Sequence, residues 1–279
     1  MNRAKSSVPS FEHPLLEMAS IRSYFEPFEP GNNGRKSPAS SSKRPTRILM
    51  LHGHGQSGRF FYHKTTRLVE ALHEIALDRD AKRCSERIEL FYVNGPLSAG
   101  QGPESDVWTW GQGDFEAERR IWGLDASINK IMDILAKHGP FDGIIGFSTG
   151  ATVAAIITSL LEGNRKARLD IKQIRHPPFR FAVCFSGFML QHPDYRAFYH
   201  PKIRTPVMHC IAEYDTMIPE ALTRQLATAC AQREVQKFKG THYVPRQREE
   251  VVNISNFILR HLDWPEDETG YSTCSSNGR

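Results

Sequence analysis

Short apolar runs separated by longer helical stretches constrain the fold of this chain more than any other feature. The runs lie at residues 47–51, 88–93, 143–147, 181–185 and 207–211, with a late one near 235–238. A strand covered on both faces reads as a continuous apolar run, because neither side meets water. Helical patterns fall at 64–76, 116–137, 151–161, 220–230 and 249–261. This order predicts a single α/β domain over residues 46–263, a mostly parallel sheet with helices on both faces. No internal repeat interrupts it. Residues 31–46, rich in Gly, Ser, Pro and basic side chains, read as a flexible linker, so 1–45 is expected to be a flexible basic extension. Its aromatics Phe11, Tyr24, Phe25 and Phe28 leave room for a short docking helix. The polar, Ser-rich 264–279 reads as a disordered tail.

Charge argues against a nucleic-acid partner. The net charge is +5, but residues 1–47 hold 8 Lys and Arg against 4 Asp and Glu, which leaves 28 against 27 of the 36 and 31 for the remainder. The body is close to neutral, and no zinc-finger, basic-zipper or RNP motif accompanies the basic end. The longest apolar runs fall short of the roughly 18 residues of a membrane span. Five widely spaced cysteines without a Cys-x-x-Cys pair predict reduced thiols and a cytoplasmic protein.

Two glycine motifs compete. Gly53, Gly55 and Gly58 satisfy G-x-G-x-x-G after the first body strand, as in a dinucleotide-binding turn, and Asp78 lies near the spacing of a ribose ligand. Asp78 stands in a charged stretch before the next strand, however, where a ribose contact is misplaced. The second motif, Gly146-Phe147-Ser148-Thr149-Gly150, stands between an apolar strand and a small-residue helix. A nucleophile elbow needs that order, with glycines where a Cβ would clash. The plainer alternative is a Gly-Ser turn without chemistry.

A serine hydroxyl needs a base to take its proton and an acid to orient the base. Beyond the apolar run at 207–211 come Glu213, Tyr214 and Asp215, and Asp215 is the better placed acid, with Glu213 as its rival. His242, in the Gly-led loop at 240–245, follows as the candidate base. The backbone N–H groups of Thr149 and His54 are the expected oxyanion donors, which gives the first glycine motif a use without a nucleotide. His52 and His54 form a His-x-His pair, but no further metal-site pattern follows, so no metal is expected. Trp108, Trp110, Phe115 and Trp122 are candidates for an acyl pocket or, equally, for core and lid packing.

Taken in order, LMLHGHGQSG, YVNGP, WTW, WGLDAS, GPFDGIIGFSTG, CFSGF, AEYD and GTHYVP resemble the fungal family of serine hydrolases, relatives of the human ovarian-cancer-associated serine hydrolase. The likeness covers roughly residues 46–262. It implies an α/β-hydrolase fold that cleaves esters or thioesters through an acyl-enzyme without a cofactor, with Ser148, Asp215 and His242 as nucleophile, acid and base. It also implies a small-molecule or carrier-protein-bound acyl substrate, and for fungal members a place in polyketide biosynthesis, with a synthase acyl carrier domain as a partner. Members commonly carry Gln where Thr149 stands, so this pocket wall is expected to differ. A ligand-binding protein without catalysis on the same fold is the competing class.

Overall fold

The computed structural model describes residues 17–18, 21–28, 44–79, 88–102, 105–115, 117–163 and 169–262. Its strands are β1 (Glu17–Met18), β2 (Ile21–Phe25), β3 (Thr46–Leu51), β4 (Ile88–Val93), β5 (Leu97–Ser98), β6 (Trp108–Thr109), β7 (Gly143–Phe147), β8 (Phe181–Phe185), β9 (Val207–Ala212) and β10 (Arg233–Phe238). The α-helices are α1 (Gly58–Arg79), α2 (Leu124–His138), α3 (Thr149–Leu161), α4 (Glu220–Thr228) and α5 (Arg248–His261), joined by a 3-10 helix over Pro193–Phe198. The main sheet runs β1-β2-β4-β3-β7-β8-β9-β10, parallel throughout except for the antiparallel β1–β2 pair. This is an α/β-hydrolase-like fold.

The continuous apolar runs become the strands covered on both faces. Along β3, Leu49 and Leu51 join one core while Ile48 and Met50 join the other. The first core lies under α2, α3 and the 3-10 helix; the second lies under α1 and α5. Helix α3 is buried from Thr149 through Ser159, which explains its small, all-round apolar sequence. The sheet order reverses at β3, since the chain moves from β3 to β4 on one side and later returns to place β7 on the other. In doubly wound sheets ligands bind beyond the carboxyl ends of strands at such a reversal.

Several expectations change at the elements' ends. Helix α1 starts at Gly58 rather than near residue 64, because the Ser57 hydroxyl accepts from Phe60 N–H at 3.2 Å as an N-cap. Helix α2 starts at Leu124 rather than 116: Gln112 and Trp122 exchange backbone hydrogen bonds of 2.9 and 3.0 Å, and Gly123 turns the chain at φ 75°. The docking segment is a strand, not a helix. Residues 21–25 of the supposed extension pair with β4, placing Phe25 against Tyr92 and Tyr24 against Phe91. The linker over 31–46 falls mostly outside the described residues, as does the tail over 264–279.

Candidate active site

Loops leaving the carboxyl ends of β3, β7, β8, β9 and β10 converge on Ser148. This residue follows β7 with φ 55° and ψ −122°, a strained conformation for a residue with a Cβ. The flanking glycines allow the sharp turn. A Cβ on Gly146 would meet the Gly150 carbonyl and lie 2.7 Å from Ala151 Cα, and one on Gly150 would press into the Leu51 and His52 carbonyls. Helix α3 therefore starts tight against both β7 and the end of β3.

His242 Nε2 lies 3.0 Å from Ser148 Oγ, and His242 Nδ1 lies 2.8 Å from Asp215 Oδ2. Its ring packs on Phe147 with centroids 4.8 Å apart. The carboxylate of Asp215 is fully engaged: Oδ2 also accepts from Ser186 Oγ at 2.8 Å, while Oδ1 accepts from the N–H groups of Met217 and Ile218 at 3.0 and 2.8 Å. Burial works to raise this carboxyl, but the hydrogen bonds from His242, Ile218 and Ser186 outweigh it and hold Asp215 below the ordinary carboxylate value. An ionised acceptor in that position requires the proton on His242 Nδ1 and leaves Nε2 to accept from the serine. Glu213, the rival acid, is exposed and lines a separate groove with Gln236 and Lys237.

Thr149 is the first residue of α3, so its N–H has no acceptor within the helix. Its hydroxyl is buried without a hydrogen-bond partner among the described residues. His54 stands in the turn after β3. That turn is clipped to β6 by Gly55 N–H to Trp108 O at 3.0 Å and Trp108 N–H to Gln56 O at 2.8 Å. Thr109 Oγ1 donates to Gly111 O at 2.9 Å, so its contact with His54 Nδ1, also 2.9 Å, is one in which the imidazole donates.

The glycine motif beneath this turn serves packing. A Cβ on Gly53 would fall 2.8 Å from the Phe147 ring, Gly58 lies against the Tyr92 carbonyl, and Gly55 adopts φ 64°. Asp78 is exposed in the last turn of α1, the far end of a helix roughly 33 Å long, which removes it as a ribose ligand. His52 is fully buried with both ring nitrogens committed, Nδ1 donating to Gly53 O at 2.6 Å and Nε2 accepting from Gly95 N–H at 2.9 Å. Burial lowers its pKa to about 4. Its role is to brace the turn.

The four aromatics separate. Trp110 is fully buried and donates from Nε1 to His52 O at 2.7 Å, so it packs under the turn instead of lining an open pocket. Phe115 meets Phe188 edge-on at 6.2 Å. Trp108 is half-buried and donates to Asp106 at 2.9 Å, whereas Trp122 is 65% exposed. Sequence reasoning missed Ser186, because a serine in CFSGF carries no local mark of its contact with a carboxylate 29 positions away.

Comparisons with known proteins bear on the family and the fold. Esterase OVCA2 of Xenopus tropicalis is 30% identical over 231 residues, covering 75% of this chain and 90% of that protein. A dihydrofolate reductase of Schizosaccharomyces pombe is also 30% identical over 233 residues, covering 77% of this chain but 47% of that protein, so the chain spans about half of this relative. Among solved structures, Zea mays acyl-protein thioesterase 2 aligns with a TM-score of 0.53 at 17% identity, over 81% of this chain and 97% of that one, a likeness of fold. The family model described as Serine hydrolase (FSH1) matches residues 41–254, and the chain belongs to that family of serine hydrolases.

Proposed function

We propose that this serine hydrolase cleaves a carboxylic ester or thioester through an acyl-enzyme. The observation that carries the reading is the unbroken hydrogen-bond relay from Ser148 through His242 to an ionised Asp215. Ser148 Oγ attacks the acyl carbonyl as His242 Nε2 takes its proton, and the N–H groups of Thr149 and His54 receive the developing oxyanion. The imidazolium then protonates the departing alcohol or thiol. Water, deprotonated by the same imidazole, attacks the acyl-enzyme, and Ser148 regains its proton as the acid leaves. Asp215 holds the productive tautomer throughout, and Ser186 with the two amides of the 217–218 turn holds Asp215.

The substrate we favour is a small-molecule or carrier-bound acyl group. An acyl carrier domain of a polyketide synthase is the finer form of this proposal, supported by the family resemblance of the sequence motifs. The test is a pre-steady-state assay on matched short and long acyl esters and thioesters, with a carrier-bound thioester as a further arm. A burst of leaving group equal to the enzyme, abolished in Ser148→Ala, is the expected result. Absence of turnover on every acyl substrate by the folded protein would overturn the reading. Turnover of free thioesters with none of the carrier-bound one would remove the carrier proposal alone.

A further inference from the structure

The hydroxyl nearest to the nucleophile in sequence is one that the fold leaves unused. Helix α3 carries hydroxyls on Thr149, Thr152, Thr158 and Ser159, all of them buried. Thr152 Oγ1 donates to Phe188 O at 2.9 Å, Thr158 Oγ1 to Ala154 O at 2.7 Å, and Ser159 Oγ to Phe198 O. Thr149 is only 6% exposed, yet its Oγ1 has no hydrogen-bond partner among the described residues. Its position explains the difference. A threonine inside a helix can donate to the carbonyl four residues earlier, as Thr158 does, but Thr149 opens the helix, and Ile145 lies in β7 between two paired strands. The acceptors around the start of α3 are committed. His52 O, into which a Cβ on Gly150 would press, accepts from Trp110 Nε1 at 2.7 Å, and Phe188 O accepts from Thr152.

The residues that follow fix the direction of the Thr149 side chain. Gly150 faces the end of β3, Ala151 faces Gly187, where a Cβ would lie 3.0 Å from its own, and Thr152 faces Phe188. Successive side chains of a helix are about 100° apart, so Thr149 is turned to the side opposite Ala151, away from the sheet. Every Cα–Cβ bond of a helix also tilts toward its amino end, and the residue at the amino end of α3 is Ser148. The Thr149 hydroxyl is separated from its own nitrogen only by Cα and Cβ. It is therefore held at the same end of α3 as the N–H that is the expected oxyanion donor.

A buried donor without a partner costs stability in the free protein, and an acceptor that arrives during the reaction removes that cost. A donor already fixed in a water-poor site also has no need to reorganise when negative charge develops beside it. We propose that the Thr149 hydroxyl is a catalytic hydrogen-bond donor, a third beside the N–H groups of Thr149 and His54, which engages the substrate oxygen as it becomes an oxyanion. The proposal rests on the ester- or thioester-hydrolysing reading above and adds to it a donor from a side chain.

The test uses Thr149→Val, which keeps the branched shape and the backbone N–H but removes the hydroxyl, and Thr149→Ser, which keeps the hydroxyl. Wild type and variants are compared in hydrolysis of p-nitrophenyl butyrate, in the rate of inactivation by a fluorophosphonate, and in urea unfolding. Thr149→Val is expected to lower kcat by roughly tenfold or more with KM little changed. It is also expected to slow inactivation in parallel, because the phosphonyl oxygen gains negative charge in the same place, and to unfold at a urea concentration no lower than the wild type. Thr149→Ser is expected to stay within a few-fold of the wild type in both rates. Where the ester is not turned over, the inactivation rates decide. Rates unchanged in Thr149→Val, a rise in KM alone, or an equal loss in Thr149→Ser overturns the proposal. A lower urea midpoint in Thr149→Val overturns it as well, since the hydroxyl then has a partner within the fold. A wild type that neither hydrolyses the ester nor reacts with the fluorophosphonate removes the hydrolase reading itself, and this inference with it.

Discussion

Asp215 illustrates how much at the residue scale depends on partners rather than identity. Its carboxylate accepts from His242, Ser186 and two backbone amides, so replacing it leaves the surrounding donors in place but changes which tautomer of His242 they favour. Asp215→Asn is expected to lower kcat by about 10³–10⁴-fold with an unchanged fold. Ser186→Ala, which removes a positioning contact, is expected to cost on the order of tenfold. Glu213→Gln is expected to leave turnover near the wild type. Steady-state kinetics with circular dichroism on the three variants checks this ordering, and a large loss in Glu213→Gln beside an active Asp215→Asn would reverse the assignment of the acid. Ser148, Asp215 and His242 were legible in the sequence because each follows a strand in the chain order that places it at the sheet's carboxyl edge. Ser186 was not, since a hydroxyl that supports a carboxylate looks like any other turn serine.

At the scale of elements, the legible part is the strand set, and the difficulty lies where an element begins. Continuous apolar runs mark β3, β4, β7, β8 and β9 because those strands are covered on both faces. Strand β2 escaped because Ile-Arg-Ser-Tyr-Phe holds no continuous apolar run, with only Ile21 fully buried in this next-to-last strand of the sheet, and because the basic stretch that follows dominates local composition. The edge of β4 is nevertheless covered by it. Deletion of residues 1–28 is expected to lower Tm by several degrees and promote aggregation through the uncovered strand; calorimetry and light scattering that match the full chain would contradict the role of β2. The α3–β3 contact yields a second prediction. Gly150→Ala drives a methyl group into the carbonyls at the end of β3, and a loss of about 1–3 kcal/mol or more in urea unfolding is expected. Stability equal to the wild type would mean that α3 does not lie as close to β3 as described.

Seen as a whole molecule, the two ends of the sheet are built differently. At the amino end charges are paired in a network: Arg44 spans both oxygens of Asp142 at 2.7 and 2.8 Å, and Arg47 reaches Glu89 at 2.9 Å and the His138 carbonyl at 2.6 Å. At the carboxyl end the reactive groups Ser148, Asp215 and His242 gather instead. The interior also carries buried histidines whose protonation opposes the fold in acid. Burial lowers His52 to about 4 and His209 to about 3 from the ordinary 6.5, so both bind protons in the unfolded chain before they do so in the fold. Their stabilising contribution is complete above pH 6.5 and declines as pH falls, by roughly 3 kcal/mol per pH unit for the two together until His52 begins to titrate near 4. The lowered carboxyl of Asp215 acts in the same direction only at lower pH, below the ordinary carboxylate range. Both ring nitrogens of His209 lack a hydrogen-bond partner among the described residues, so His209→Leu is expected to raise stability at pH 7 by about 1–3 kcal/mol and to flatten the slope between pH 6.5 and 4. Urea unfolding across that range checks both, and a flat profile in the wild type would contradict the account. The central claim, that Ser148 is the activated nucleophile, is tested most directly by labelling the folded protein with a fluorophosphonate and locating the adduct by mass spectrometry. The account predicts one stoichiometric adduct on Ser148, absent from Ser148→Ala and strongly slowed in His242→Ala. No adduct on the well-folded wild type, or an adduct on another residue, would contradict it.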